Sequence, residues 1–188
     1  MGKRSLGRAF RAAFVMLGIA ACTSEPTAHQ PLPTRSSPDL VGDLVAMHAL
    51  ERATPLSSDI VASAVIGSAG GTISIPQAGV TLTIPAGAVA SPVAFSLKAV
   101  AGNLVAYELE PHGTSFLRNV EVRQDLTVTQ WNGTLLPLLK AGYFADLSQL
   151  QQGSATALVS EVLGGLTSLL SGTFTWRVEH FSGYVVAW

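Results

Sequence analysis

From Val61 onward, apolar and polar residues alternate with a period close to two. Thr72-Ile73-Ser74-Ile75 alternates, Pro76 and Gly79 turn the chain, and Val80-Thr81-Leu82-Thr83-Ile84 alternates again. Successive side chains of a strand point to opposite faces, so each run reads as a half-buried β-strand. Pro85 and Gly87 mark the next turn. Beyond it, Val93, Phe95 and Leu97 share one face against Ala94, Ser96 and Lys98. The pattern predicts that Val80, Leu82, Ile84, Val93, Phe95 and Leu97 point into a core. Further strands are expected near residues 105–109, 120–128, 143–146, 157–162 and 174–188, with Asn132-Gly133 as a strong turn signal. About ten short strands separated by turns indicate an all-β fold, a β-sandwich over residues 61–188. In the tail, residues 182–188, Val185 and Ala187 alternate with Tyr184, Val186 and Trp188, which predicts a terminal strand paired within the sandwich.

Upstream the pattern changes. Leu40, Val41, Leu44, Val45 and His48 fall at i, i+3 or i+4 spacing, which predicts a short helix over residues 39–52. Asp39 would cap it, and it should stop before Pro55, leaving residues 39–60 as helix and linker. Its apolar face is expected to dock on the domain; partner binding by that face is the alternative. Residues 23–38 hold Pro26, Pro31, Pro33 and Pro38 among Ser and Thr. Such a stretch cannot bury a core, so residues 22–38 read as a flexible tether.

The first 21 residues read as an address. Residues 1–11 carry Lys3, Arg4, Arg8 and Arg11 and no acidic residue, and residues 12–21 are an uncharged apolar run. A spanning helix needs about 20 apolar residues, so this run is too short to cross a bilayer. It fits the basic, apolar and small-residue order of an export signal. Residues 155–170 form the other long apolar stretch, but Glu161 and Gly164-Gly165 interrupt it, so it is not read as a membrane segment.

Composition narrows the function classes. Apolar residues make up 48% of the 188 residues and charged ones only 12%, which excludes a chain disordered throughout. Without the first 21 residues, seven positive charges face twelve negative ones, so no nucleic-acid partner is expected. Cys22 is the only cysteine and excludes an internal disulfide.

Two resemblances extend this reading. Ile19-Ala20-Ala21-Cys22 resembles the bacterial lipobox, in which an aliphatic and two small residues precede a cysteine to be lipidated. The resemblance implies a signal peptide over residues 1–21 and a diacylglycerol thioether, with palmitate, on Cys22. An ordinary signal peptide with a coincidental cysteine is the alternative. Thr23 in place of Asp implies outer-membrane sorting if the source is Gram-negative. The second resemblance is carried by Ile66-Gly67-Ser68-Ala69-Gly70-Gly71-Thr72 and Val80-Thr81-Leu82-Thr83-Ile84-Pro85-Ala86-Gly87-Ala88. With Tyr107-Glu108-Leu109-Glu110-Pro111-His112-Gly113-Thr114-Ser115-Phe116 and His180-Phe181-Ser182-Gly183-Tyr184, these pieces are similar to the ZU5 domain and its bacterial relatives. That family implies a β-rich interaction module without an obvious small-molecule site. Gly70-Gly71 precedes a strand, whereas a phosphate-cradling loop needs a following helix, so these glycines read as turn formers.

Candidate chemistry is sparse. Glu108, Glu110 and His112 would share a face if their strand ran straight, a possible cation site, but Pro111 is expected to end the strand first. No metal or cofactor is expected. There is no G-x-S-x-G elbow for a hydrolase. Trp131, Trp176 and Trp188 are candidates for stacking on sugars, with core or rim packing as the alternative. His180-Phe181-Ser182 matches the cleavage tripeptide of self-cutting death-domain and nucleoporin proteins, which some ZU5 relatives share. By that likeness Ser182 Oγ attacks the Phe181 carbonyl while His180 assists proton transfer. Local hydrogen bonding in a kink before the last strand is the favoured reading of these residues. The chain is therefore expected to be a lipid-anchored envelope protein whose non-catalytic sandwich binds an envelope protein. Self-processing at Phe181–Ser182 and a surface lectin are the alternatives.

Overall fold

The computed structural model describes residues 44–134 and 138–188, and the period-two runs in them are strands. In chain order these are β1 (Val45–His48), β2 (Glu51–Leu56), β3 (Ile60–Ile66), β4 (Gly71–Ile75), β5 (Val80–Ile84), β6 (Val93–Ala99), β7 (Gly102–Leu104) and β8 (Ala106–Glu110). There follow β9 (Ser115–Asp125), β10 (Lys140–Phe144), β11 (Leu150–Gln151), β12 (Thr156–Val159), β13 (Glu161–Leu163), β14 (Gly165–Ser168), β15 (Thr173–His180) and β16 (Gly183–Ala187). The expected signal peptide, Cys22 and the tether lie outside the described residues.

Two antiparallel sheets form the sandwich. One has six strands in the order β13-β10-β16-β8-β6-β3, the other five in the order β14-β15-β9-β5-β4. Their facing side chains make the main core, in which Val80, Leu82, Ile84, Phe95 and Leu97 are buried and Val93 packs at the margin. The inward faces read from the alternation are therefore the observed ones. At both lateral edges the chain passes from sheet to sheet: β3 leads through residues 67–70 into β4, and β13 through Gly164 into β14. Gly70 makes the first crossing possible. Its φ is +75°, and a Cβ there would lie 2.5 Å from the Ile84 carbonyl oxygen.

A third layer covers the outside of the six-stranded sheet. β1-β12-β11 form a small sheet whose Met47, Ala157, Val159 and Leu150 pack with Ala106, Phe144, Val185 and Ala187 in a second core. Gly142 in β10 lets β12 approach, since a Cβ there would sit 2.4 Å from Val159 Cγ1. The strand β16 is therefore buried on both faces, with Tyr184 and Val186 in the main core and Val185 and Ala187 in the second. The terminal strand forms as expected, but its alternation separates two cores rather than core from solvent.

The helix expected over residues 39–52 is not formed in its described part. Residues 45–48 are β1 and residues 51–56 are β2. Helical spacing of apolar residues did not decide the conformation because the partners are distant: Val45 to His48 pair with Val159 to Thr156. Nor is the segment a linker, since Leu50 enters the main core and Met47 and Ala49 the second. β2 meets β7 only at Glu51–Leu104 and Leu56–Gly102, which leaves Pro55 in an irregular stretch where its missing N–H costs no ladder bond. The apolar stretch of residues 155–170 folds largely as β12, β13 and β14, and among the described residues no helix is long and apolar enough to cross a membrane.

Candidate functional site

The expected strand over residues 174–188 divides at Phe181 and Ser182, where the chain leaves the five-stranded sheet and enters the six-stranded one. Its kink begins earlier, at a register shift between Val178 and His180 against β9. Phe181 anchors the crossing. Its ring is buried against Phe116 at 4.7 Å and Phe95 at 5.2 Å between centroids. Its backbone is held on both sides: the amide donates to the Thr114 carbonyl at 3.1 Å, and the carbonyl accepts from the Gly113 amide at 3.0 Å. The Ser182 carbonyl accepts from the Leu109 amide at 2.9 Å.

His180 faces away from this backbone. Its ring lies edge-on to Tyr143, with Nδ1 3.5 Å from the Tyr184 hydroxyl and Nε2 4.0 Å from Glu161 Oε2. The Tyr184 hydroxyl donates to the His180 carbonyl at 2.7 Å. Burial holds the Tyr184 phenol well above the usual tyrosine range, with Glu161 and Tyr143 adding to the effect, so it stays a donor. Among the described residues no hydrogen bond joins His180 to Ser182. Ser182 is buried. Among the described residues the arrangement thus supplies one N–H donor to the Phe181 carbonyl and no hydrogen-bonded base at the Ser182 hydroxyl. Among the described residues the only non-glycine residue with a left-handed φ is Ala155, so no such strain is stored at residues 180–182.

The other candidates separate. Glu108 pairs with Lys98 on β6, and this hydrogen bond is the main cause that raises the lysine above its usual range. Glu110 turns to its neighbour: Oε1 lies 3.2 Å from His112 Nε2, and Oε2 accepts from the His112 amide at 2.8 Å. No group of three metal-ligating side chains occurs among the described residues. Of the tryptophans, Trp176 is buried and stacks on Phe174 at 5.4 Å. Trp131 and Trp188 instead line one open pocket with Leu50, Gln130 and Leu139. The Trp131 indole N–H donates to the Thr134 carbonyl at 3.0 Å.

One polar cluster was not legible in the sequence. Arg52, assigned there to a helix end, is buried in the sandwich. Its Nη1 donates to Tyr107 Oη at 3.3 Å and to the Ala78 carbonyl at 3.4 Å, and Nη2 to the Ala106 carbonyl at 3.3 Å. The guanidinium also lies 5.2 Å from the Tyr107 ring centroid. Tyr107 Oη bonds Gln124 and the Ala78 carbonyl, and Gln124 Nε2 reaches the same carbonyl at 3.1 Å. Burial raises the Tyr107 phenol above its usual range, against the lowering influence of Arg52. No acidic partner of Arg52 occurs among the described residues, so a full charge is held by neutral acceptors and one ring. Nothing local signals this, because Arg52 meets Ala78, Ala106 and Tyr107 only after the sheets assemble.

Comparison with known families agrees with the fold. The ZU5 domain model matches residues 62–102, from β3 to the start of β7. The match supports a ZU5-like domain, a β-rich class of interaction module, and takes in the pieces at residues 66–72 and 80–88. No curated protein matches the chain.

Proposed function

We propose that the chain is a lipid-anchored cell-envelope protein whose ZU5-like sandwich is a non-catalytic module that binds another envelope protein. The observation that carries the anchor is the short apolar run ending in Ile19-Ala20-Ala21-Cys22 behind a basic segment. Several acyl chains on one residue make release from a bilayer very slow, so Cys22 would supply the membrane attachment. The ZU5 match and the sandwich with few catalytic groups support the interaction module. The experiment is cell fractionation with labelled palmitate. The wild-type chain should label and sediment with membranes, and Cys22→Ser should do neither. A Cys22→Ser chain that still incorporates palmitate overturns the anchor assignment.

A specific observation favours one second reading. Trp131 and Trp188 line one pocket, and an aromatic face with polar groups beside it suits the stacking of a sugar ring. Binding of the pure protein on a glycan array, lost in Trp131→Ala, would favour the lectin over the protein binder. Self-processing has weaker support, since the imidazole of His180 points to Tyr184 and Glu161.

A further inference from the structure

We propose that the free edge of β3 pairs with β3 of a second copy of this chain, joining two six-stranded sheets across a twofold axis at Ser63. Among the described residues β3 is the last strand of its sheet and pairs only with β6, over all seven residues and without a register shift. Among the described residues, no hydrogen bond from outside that ladder reaches residues 60–66, so every second N–H and C=O points outward unpaired. Exposed edges of this kind are normally guarded by charges, proline, bulges or brevity. β3 has none of these: its sequence is Ile60-Val61-Ala62-Ser63-Ala64-Val65-Ile66.

That sequence names the occupant. It reads the same in both directions. Antiparallel pairing reverses one strand against the other, so β3 laid against itself about Ser63 opposes like with like. Ile60 meets Ile66 of the second copy, Val61 meets Val65, Ala62 meets Ala64, and Ser63 meets Ser63. The faces agree as well. Ile60, Ala62 and Ala64 pack on the main core, while Val61 and Val65 stand 58% and 72% exposed on the outer face. In the pair each exposed valine gains one β-branched cross-strand neighbour, and the twofold axis makes the contact twice, the arrangement that stabilises antiparallel ladders. The same surface is used by both copies, as closed twofold symmetry requires. Seven paired residues span about 24 Å at roughly 3.4 Å each, short of a standard-size interface, so the dimer is concentration-dependent.

The full chain, kept in detergent, tests this by sedimentation and by cross-linking. It should shift from monomer to dimer by about 100 μM. Val61→Lys with Val65→Lys should hold it monomeric with an unchanged melting curve, because both side chains are exposed and each introduced lysine would face another across the axis. Val61→Lys with Val65→Glu should restore the dimer, since only this register opposes the two positions. Independently, in a Cys22→Ser background, Ser63→Cys places two thiols on opposed residues about 4.5–5.5 Å apart at Cα, within disulfide reach. It should oxidise to a covalent dimer much faster than Ser74→Cys, an exposed control on β4. A wild-type chain that stays monomeric throughout, a Lys/Glu variant no better than Lys/Lys, or equal oxidation of the two cysteine variants overturns the proposal.

Discussion

The backbone amide of Gly113 donates to the carbonyl oxygen of Phe181 at 3.0 Å. This carbonyl is the one a self-cleaving Ser182 would attack, and the bond gives it one oxyanion-type donor. The catalytic base is not in place, because the His180 ring faces Tyr143, Tyr184 and Glu161. The purified chain should therefore keep its full mature mass during prolonged incubation. Ser182→Ala, which removes a buried hydroxyl without a hydrogen bond among the described residues, should leave stability within about 1 kcal/mol of the wild type. Mass spectrometry of the denatured protein decides. A fragment beginning at Ser182, absent from the Ser182→Ala variant, would establish cleavage and require the imidazole to swing towards Ser182.

Phe95 tests the main core. It is buried on β6 and touches Phe116 at 5.8 Å and Phe181 at 5.2 Å between ring centroids. Phe95→Ala should cost about 3–5 kcal/mol in a urea titration, the usual range for opening a cavity of that size. A loss well under 1 kcal/mol would mean that the neighbouring rings collapse into the space.

Legibility followed the range of the interactions that decide each element. β4, β5 and β6 were readable because Ile73, Leu82 and Phe95 alternate with polar or small neighbours and each strand has a partner nearby in sequence, β4 with β5 and β6 with β8. β1 was misread as a helix because its partner, β12, lies far along the chain, and residues 45–48 alone do not favour a strand over a helix. The burial of Val185 and Ala187 was hidden for the same reason: a third layer built from β1, β11 and β12 supplies it. At the candidate site, the tripeptide and the Trp positions were visible, but the orientation of His180 depends on Glu161 and Tyr143 from other strands.

Among the described residues the charge on Arg52 has only neutral acceptors, and this sets an order among substitutions. The Ala78 carbonyl also accepts from Tyr107 and Gln124, and the Ala106 carbonyl from the Val100 amide, so both keep partners if the guanidinium is removed. Arg52→Met fills much of the volume without a buried charge and should be tolerated, as apolar replacements of buried ionic groups often are. Arg52→Ala leaves a cavity and should cost about 2–4 kcal/mol. Chemical denaturation checks the order; an equal loss in both variants would mean that the hydrogen bonds outweigh the packing.

The tyrosines predict the alkaline limit of the fold. Burial raises Tyr107 and Tyr184 above the unfolded value of about 10. Between the unfolded and folded pKa values the native chain binds more protons than the unfolded one, so stability falls as pH rises through that interval. It is fully present below pH ~10 and lost above it. Tyrosinate absorbance from these two residues should therefore appear together with loss of far-ultraviolet strand signal, not before it. Tyr184→Phe should make the decline with pH shallower. Ionisation of both residues with the fold intact would contradict the burial assigned to them.

Val185 separates a three-layer fold from a plain sandwich. In two layers only the Tyr184 and Val186 face of β16 would be buried, and Val185 would tolerate a charge. Here Val185 lies under the small sheet with Met47, Ala157 and Val159. Val185→Asp would bury a carboxylate without a basic partner, a change expected to cost several kcal/mol and to lower the yield of folded protein. Thr72→Asp, on the exposed face of β4, should stay within about 0.5 kcal/mol of the wild type. Deleting residues 182–188 should be worse than either, because β16 pairs with β10 on one side and β8 on the other, and its loss splits the six-stranded sheet. Thermal melts of the three variants measure the difference. If Val185→Asp melts with the Thr72→Asp control, the small sheet does not cover β16, and the chain folds as two layers.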